Sequence, residues 1–264
     1  MLVEDPFLAE LIAEVREDAE TIGLLLHGSR SGGQHRADSD YDLIRIVTSA
    51  AYDARRERGA LLEKSAPTDE HRADVLYQTS SRIAAYVTDP GWYTPTYLSA
   101  RVLFDRTGEI GALMSHIATE AGRIARQRVD ASYDDYLNSF VRSLKAARRG
   151  DELGRRLHAA ESATALLRTL FGLQSAWPPY HDALAAHLPP LDDALGWPPG
   201  YLSEAVLRLV RDADPTFQQQ LELRVEELMA SHGIAHDWGN ELEPLKTLHF
   251  RDGDEQRATR PRSG

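Results

Sequence analysis

Hydrophobic spacing divides the chain into two halves of different character. Phe7, Leu8, Leu11, Ile12 and Val15 recur at three- and four-residue intervals, which predicts a helix over residues 6–20 with Asp5 as its cap. Short apolar runs follow at 22–26 and 41–47, each of strand length. A helix is expected over 50–62, a short strand over 72–77, and a helix over 80–87. Asp89-Pro90-Gly91 reads as a turn, and 101–104 as a further strand that ends in Asp105-Arg106-Thr107-Gly108. Beyond Gly108 only helical spacing is found: 110–128, 133–149, 152–173, 203–213 and 215–231. Gly150-Asp151 reads as a break followed by an N-cap, and Ser203 and Asp214 are further expected caps. Trp177-Pro178-Pro179 and Leu188-Pro189-Pro190 are expected to punctuate another short helix. The pattern predicts an α+β fold: a small mixed sheet with flanking helices over 1–128, an all-α bundle over 129–249, and a frayed polar tail over 250–264.

The 264 residues are 42% hydrophobic and 27% charged, which suits a folded, soluble protein. No apolar run approaches the ~20 residues that span a bilayer, and the first residues lack the basic stretch and apolar core of a secretory leader. The absence of cysteine excludes disulfides and thiolate catalysis, and a cytoplasmic location is expected. The net charge of −11 disfavours nucleic acid as the main partner and suits a cationic small molecule. Lysine occurs only at 64, 145 and 246; the excess of Arg and Ala is read as codon bias in a GC-rich genome.

The chemistry is concentrated where the two first apolar runs meet. Ile22-Gly23-Leu24-Leu25-Leu26-His27 ends in Gly28-Ser29, about ten polar residues follow, and Asp40-Tyr41-Asp42 opens the second run. With a strand period of two, Asp40 and Asp42 point the same way and present two carboxylates for divalent cations. Gly28 lets a backbone approach phosphate closely, Ser29 adds a hydroxyl donor and Arg30 a positive charge. Taken singly, Gly-Ser and Asp-Ser-Asp are ordinary turn residues; the whole arrangement is what carries information. It resembles the nucleotidyltransferase superfamily that includes DNA polymerase beta and the aminoglycoside and lincosamide nucleotidyltransferases. The resemblance covers about a tenth of the chain. It implies two Mg²⁺ ions, a nucleoside triphosphate such as ATP as co-substrate, and a third carboxylate on a neighbouring strand, for which Asp74 is the candidate and Glu63 and Asp69 are competitors. Asp40, Asp42 and Asp74 would then be the metal ligands.

In the helical half, Leu137, Phe140, Val141 and Leu144 form the expected buried stripe of one helix. Arg142, Lys145 and Arg149 share another face of it, suited to phosphates, with Lys145 and Arg149 as candidate nucleotide contacts. In the following helix Glu161 falls between Leu157 and Thr164, within what reads as the apolar side. A carboxylate there must be paired or poised at a cleft. By position it resembles the helix-borne glutamate that antibiotic nucleotidyltransferases use as general base, in a helical domain that closes one wall of the active site.

The expected function is transfer of a nucleoside monophosphate, AMP from ATP, onto a hydroxyl of a small, cationic acceptor such as an aminoglycoside, with bacterial antibiotic resistance as the associated role. An AMPylating antitoxin, a tRNA-modifying toxin and an inactive nucleotide-binding relative stay open as alternatives. The helical domain and the acidic charge weigh against the first two, the carboxylates against the third. Acceptor identity, base preference and oligomeric state are left open.

Overall fold

A computed structural model describes residues 5–33, 35–36, 39–65 and 72–250. Asp69 and all of the expected tail except Phe250 lie outside the described residues. The architecture is α+β, and the chain forms two compact units, Met1–Ile124 and Ala125–Gly264.

The first unit is a five-stranded mixed sheet with helices. In chain order it runs α1 (Pro6–Glu17), β1 (Thr21–His27), β2 (Tyr41–Val47), α2 (Ser49–Glu57), β3 (Leu62–Ser65), β4 (Ala73–Gln78), α3 (Ser80–Thr88), α4 (Thr94–Ser99), β5 (Arg101–Asp105) and most of α5 (Ile110–Gln127). The sheet order is β3-β4-β2-β1-β5. Among the described strands only β2 and β4 pair in parallel, so the connection between them must cross over, and α2 lies within it.

Apolar residues cover both faces of the central strands, which is why their sequences read as nearly continuous hydrophobic runs. Leu24 and Leu26 pack with Leu8 and Val15 of α1. Leu25, Ile44 and Ile46 pack on the other face with Ile83, Ile110 and Ile117. Asp5 caps α1 by accepting from the Leu8 amide at 3.2 Å, and also accepts from the Tyr41 hydroxyl at 2.8 Å. Arg45, nearly buried, bonds Thr21, Glu14 and Asp18, so its charge is fully engaged. Arg106 donates to the backbone carbonyls of Thr21, Val15, Arg16 and Asp18, closing the C-terminal end of α1.

Two expectations in this unit are corrected. The helix expected over 50–62 ends at Glu57, because Gly59 takes φ +68° and turns the chain into β3. Between the Asp89 turn and β5 lies α4, which periodicity alone misses because it has only six residues.

The second unit contains α6 (Val129–Arg148), α7 (Glu152–Leu173), α8 (Leu184–Ala194), α9 (Tyr201–Arg211), α10 (Pro215–Ser231) and α11 (Gly239–Lys246). Tyr136, Leu137, Phe140 and Leu144 of α6 meet Leu166 and Leu170 of α7 in its core. Asp151 caps α7 through the Gly154 amide at 2.9 Å, and Asp214 caps α10. Ser203 caps nothing: α9 begins two residues earlier. Fully buried Asp192 of α8 supplies the missing acceptor, taking the Gly200 and Leu202 amides at 2.9 and 3.0 Å. Pro189 and Pro190 lie inside α8 rather than bounding it.

Candidate active site

Strand pairing builds a polar row across four strands. His27 of β1 is the register partner of Asp42 on β2. Asp42 pairs with Asp74 of β4, and Asp74 pairs with Lys64 of β3. Direct partners in a sheet project from the same face, so the four side chains share one side. Two residues along the strands, the same face carries Leu25, Ile44, Leu76 and Leu62, also partnered in sequence across the sheet. The site is thus the continuation, by polar residues at the N-terminal ends of β2 and β4, of an apolar row that is buried at Leu25 and Ile44 and exposed at Leu62.

The turn after β1 closes onto this row. Gly28–Arg30 forms a single 3₁₀ turn, and Gly28 adopts φ +69°. A Cβ at Gly28 would lie 2.2 Å from Asp42 Oδ2. Glycine is therefore required twice, by backbone conformation and by the carboxylate pressed against it. Arg30 is occupied in holding the loop: Nε donates to the Ser39 carbonyl at 2.9 Å, and its guanidinium stacks 3.9 Å over the Tyr41 ring. Ser29 is exposed beside it.

The electrostatics are those of crowded negative charge. Burial pushes the Asp42 carboxyl above its ordinary pKa, and the neighbouring charges of Asp74 and Asp40 push it further; Lys64 opposes them. Burial lowers His27 to about 4, so it stands neutral beside Asp42 at neutral pH. Lys64 Nζ lies 2.8 Å from Asp74 Oδ2, and that bond raises the ammonium's pKa. Asp40, just before β2, is exposed. Glu63 bonds Arg55 and the Tyr77 hydroxyl, which leaves it a structural role.

Among the described residues, no three or more His, Cys, Asp or Glu side chains converge closely enough to hold a metal ion. The geometry supplies the reason. The Asp42 carboxylate leans toward Gly28 in the turn after β1, while Asp74 is bound to Lys64 on β3, at the opposite side of the β4–β2 pair. In kind the donors do fit a hard divalent cation, since they are carboxylate oxygens whose mutual repulsion raises Asp42.

The remaining candidates belong to the second unit. Arg142, Lys145 and Arg149 line one cavity of about 390 Å³ together with His158, Trp238 and Glu241. Lys145 is paired there with Glu241 at 2.6 Å. Glu161 is not on the apolar side of α7. Its side chain is 62% exposed and bonds His158 Nδ1 at 2.9 Å. The buried side of α7 runs through Ala159, Ser162, Ala163, Leu166 and Leu170, and Leu157, expected inside, is exposed. Over its first turns the helix buries the small residues Ala159, Ser162 and Ala163 in place of Leu157, so the side that large apolar residues mark there is not the buried one.

Lys64, just beyond the helix expected over 50–62, and His27 are not among the site residues that the sequence motif marks. Their one signal is pairing register with Asp74 and Asp42, which no linear motif displays.

No family model matches the chain, and no curated protein matches it. A solved structure described as a nucleotidyltransferase-like protein from Exiguobacterium sibiricum 255-15 aligns over 84% of this chain and 73% of that one, with 16% identity and a TM-score of 0.44. A likeness at that level carries no argument about chemistry.

Proposed function

We propose that the chain is a nucleotidyltransferase that moves a nucleoside monophosphate, AMP from ATP, onto a hydroxyl of a small cationic acceptor. One observation carries the reading: Asp42 and Asp74 are aligned across parallel strands, and Asp42 abuts the Gly28 turn. A phosphate-approaching backbone and a pair of crowded carboxylates therefore adjoin, as transfer from a triphosphate requires.

In the reaction the acceptor oxygen forms a bond to the α-phosphorus, the bridging α–β P–O bond breaks, and pyrophosphate leaves with the electron pair. The acceptor's proton passes to a base. Asp40, Asp42 and Asp74 would hold Mg²⁺. Bound ions offset the charge of the triphosphate and make the attacking hydroxyl more acidic. Gly28 keeps the turn narrow enough for its amides to approach phosphate, and Ser29 adds a hydroxyl. Arg30 holds the loop in shape through Ser39 and Tyr41. In the cavity of the second unit, Lys145 and Arg149 would offer donors to phosphate oxygens, Lys145 in exchange for its pair with Glu241. Glu161, no longer singled out by burial, keeps a candidacy as base only through its place beside His158, which lines that cavity. The acidic balance of the chain supports a cationic acceptor, and a cytoplasmic setting follows from that reading. Among the described residues no helix is long and apolar enough to cross a membrane.

The test is incubation with α-labelled ATP, Mg²⁺ and a panel of aminocyclitol acceptors. Label should transfer to a small molecule, and Asp42→Asn should abolish transfer. The same substitution removes a like-charge neighbour and a partly buried anion, so the variant should be as stable as the parent, or up to about 1 kcal/mol more so after solvent screening. Label found only on protein or tRNA would assign the chemistry to another acceptor class. Undiminished transfer by Asp42→Asn would remove the carboxylate from the mechanism.

A further inference from the structure

We infer that Lys64 is the resident counter-ion of the carboxylate row, its ammonium holding Asp74 in the place of a divalent cation and thereby setting the affinity of the site for one. The inference rests on the reading of that row as a cation site. It concerns a residue that lies outside the Gly-Ser and Asp-x-Asp motif altogether.

Three observations carry it. Lys64 and Asp74 are register partners on β3 and β4, and Asp74 is in turn the partner of Asp42, so the ammonium stands at the end of the same row. The Nζ–Oδ2 distance is 2.8 Å, a direct charge-assisted hydrogen bond. The Lys64 side chain is 70% exposed, so it is free to swing into solvent, while its strand is anchored by its neighbour: Glu63 bonds Arg55 and Tyr77. The movable part is thus the ammonium and not the backbone.

The pairing also explains why three carboxylates so close in sequence and register form no cation cage among the described residues. Asp74 answers to Lys64 on one side, while Asp42 answers to the Gly28 turn on the other. A divalent ion that recruits both must displace the ammonium from Asp74. Lys64 therefore weakens cation binding by the strength of that pair and by direct repulsion. In return it keeps the carboxylates partly neutralised when no cation is bound.

Titration with Mn²⁺ of the full chain, following free ion by electron paramagnetic resonance, tests this without reference to turnover. Lys64→Gln should bind about fivefold more tightly than the parent, which corresponds to ~1 kcal/mol at 1.4 kcal/mol per tenfold. Lys64→Arg keeps the charge and should bind as the parent does. In an Asp74→Asn background the Lys64→Gln change should lose most of its effect, because the partner is gone and only direct repulsion remains. Thermal unfolding of each variant verifies folding, and the exposure of Lys64 predicts little change. Unchanged or weaker binding by Lys64→Gln overturns the counter-ion role and leaves the cation site standing, as does tightening by Lys64→Arg equal to that of Lys64→Gln. Absence of saturable Mn²⁺ binding in every variant, the parent included, overturns the cation reading and the Lys64 role together.

Discussion

Gly28 shows how much a single residue decides. A methyl group there would meet Asp42 Oδ2 at 2.2 Å, and the backbone already sits at φ +69°. Gly28→Ala should therefore lose roughly 1–2 kcal/mol of stability from backbone conformation alone. It should also displace the Asp42 carboxylate, so that Mn²⁺ affinity and transfer fall together. Urea unfolding and cation titration of the variant measure the two effects; a variant of parental stability would show that the turn relaxes freely. The Gly28 turn was legible in sequence because a turn depends on local spacing. Lys64 and His27 were not, because each reaches the site through a partner on another strand. Glu161 was misplaced for a related reason: burial of a helix face depends on what packs against it, and around Glu161 the buried residues are the small Ala159, Ser162 and Ala163.

Among elements, the strong periodicities translated directly, and the short or irregular pieces did not. α10 begins and ends where its proline, its cap and its apolar spacing place it. Four-residue β3 goes unread, with only Leu62 inside the helix expected over 50–62, since Leu62–Ser65 has no alternation long enough to read. α8 continues through two prolines because its packing, through Leu188 and Leu191, outweighs their cost. The packing of α10 on α6 holds a further consequence. Glu222 of α10 is wholly buried, with the Tyr133 and Tyr136 hydroxyls of α6 within electrostatic reach, none of these oxygens closing a well-formed hydrogen bond. Glu226 of the same helix and Lys246 of α11 are the nearby charges, and the two are paired with each other at 2.7 Å. Burial pushes Glu222 to about 8. Between the ordinary carboxylate pKa and that value the folded protein keeps a proton that the unfolded chain has released, so stability falls as pH rises through this window. The slope should approach ~1.4 kcal/mol per pH unit at most. Glu222→Gln should flatten it. Urea midpoints from pH 5 to 8 that run parallel in parent and variant would contradict the assignment.

At the scale of the molecule, the net charge of −11 is the property that reaches furthest. If the acceptor is a polycation, its kcat/KM should fall about threefold or more between 50 and 500 mM salt, as screening shortens the range of attraction. A neutral acceptor would show no such trend. The sequence by itself determined the α+β class, the helical second half and the Gly28 turn. Each of these follows from local periodicity or from groups a few residues apart, and such relations survive in a linear chain. Only the tertiary structure decided that Asp74 stands opposite Asp42, that Lys64 holds Asp74, and that Glu161 faces solvent. Those relations arise from strand register and helix rotation, which are set when distant segments bury their apolar faces together, and no local rule contains them.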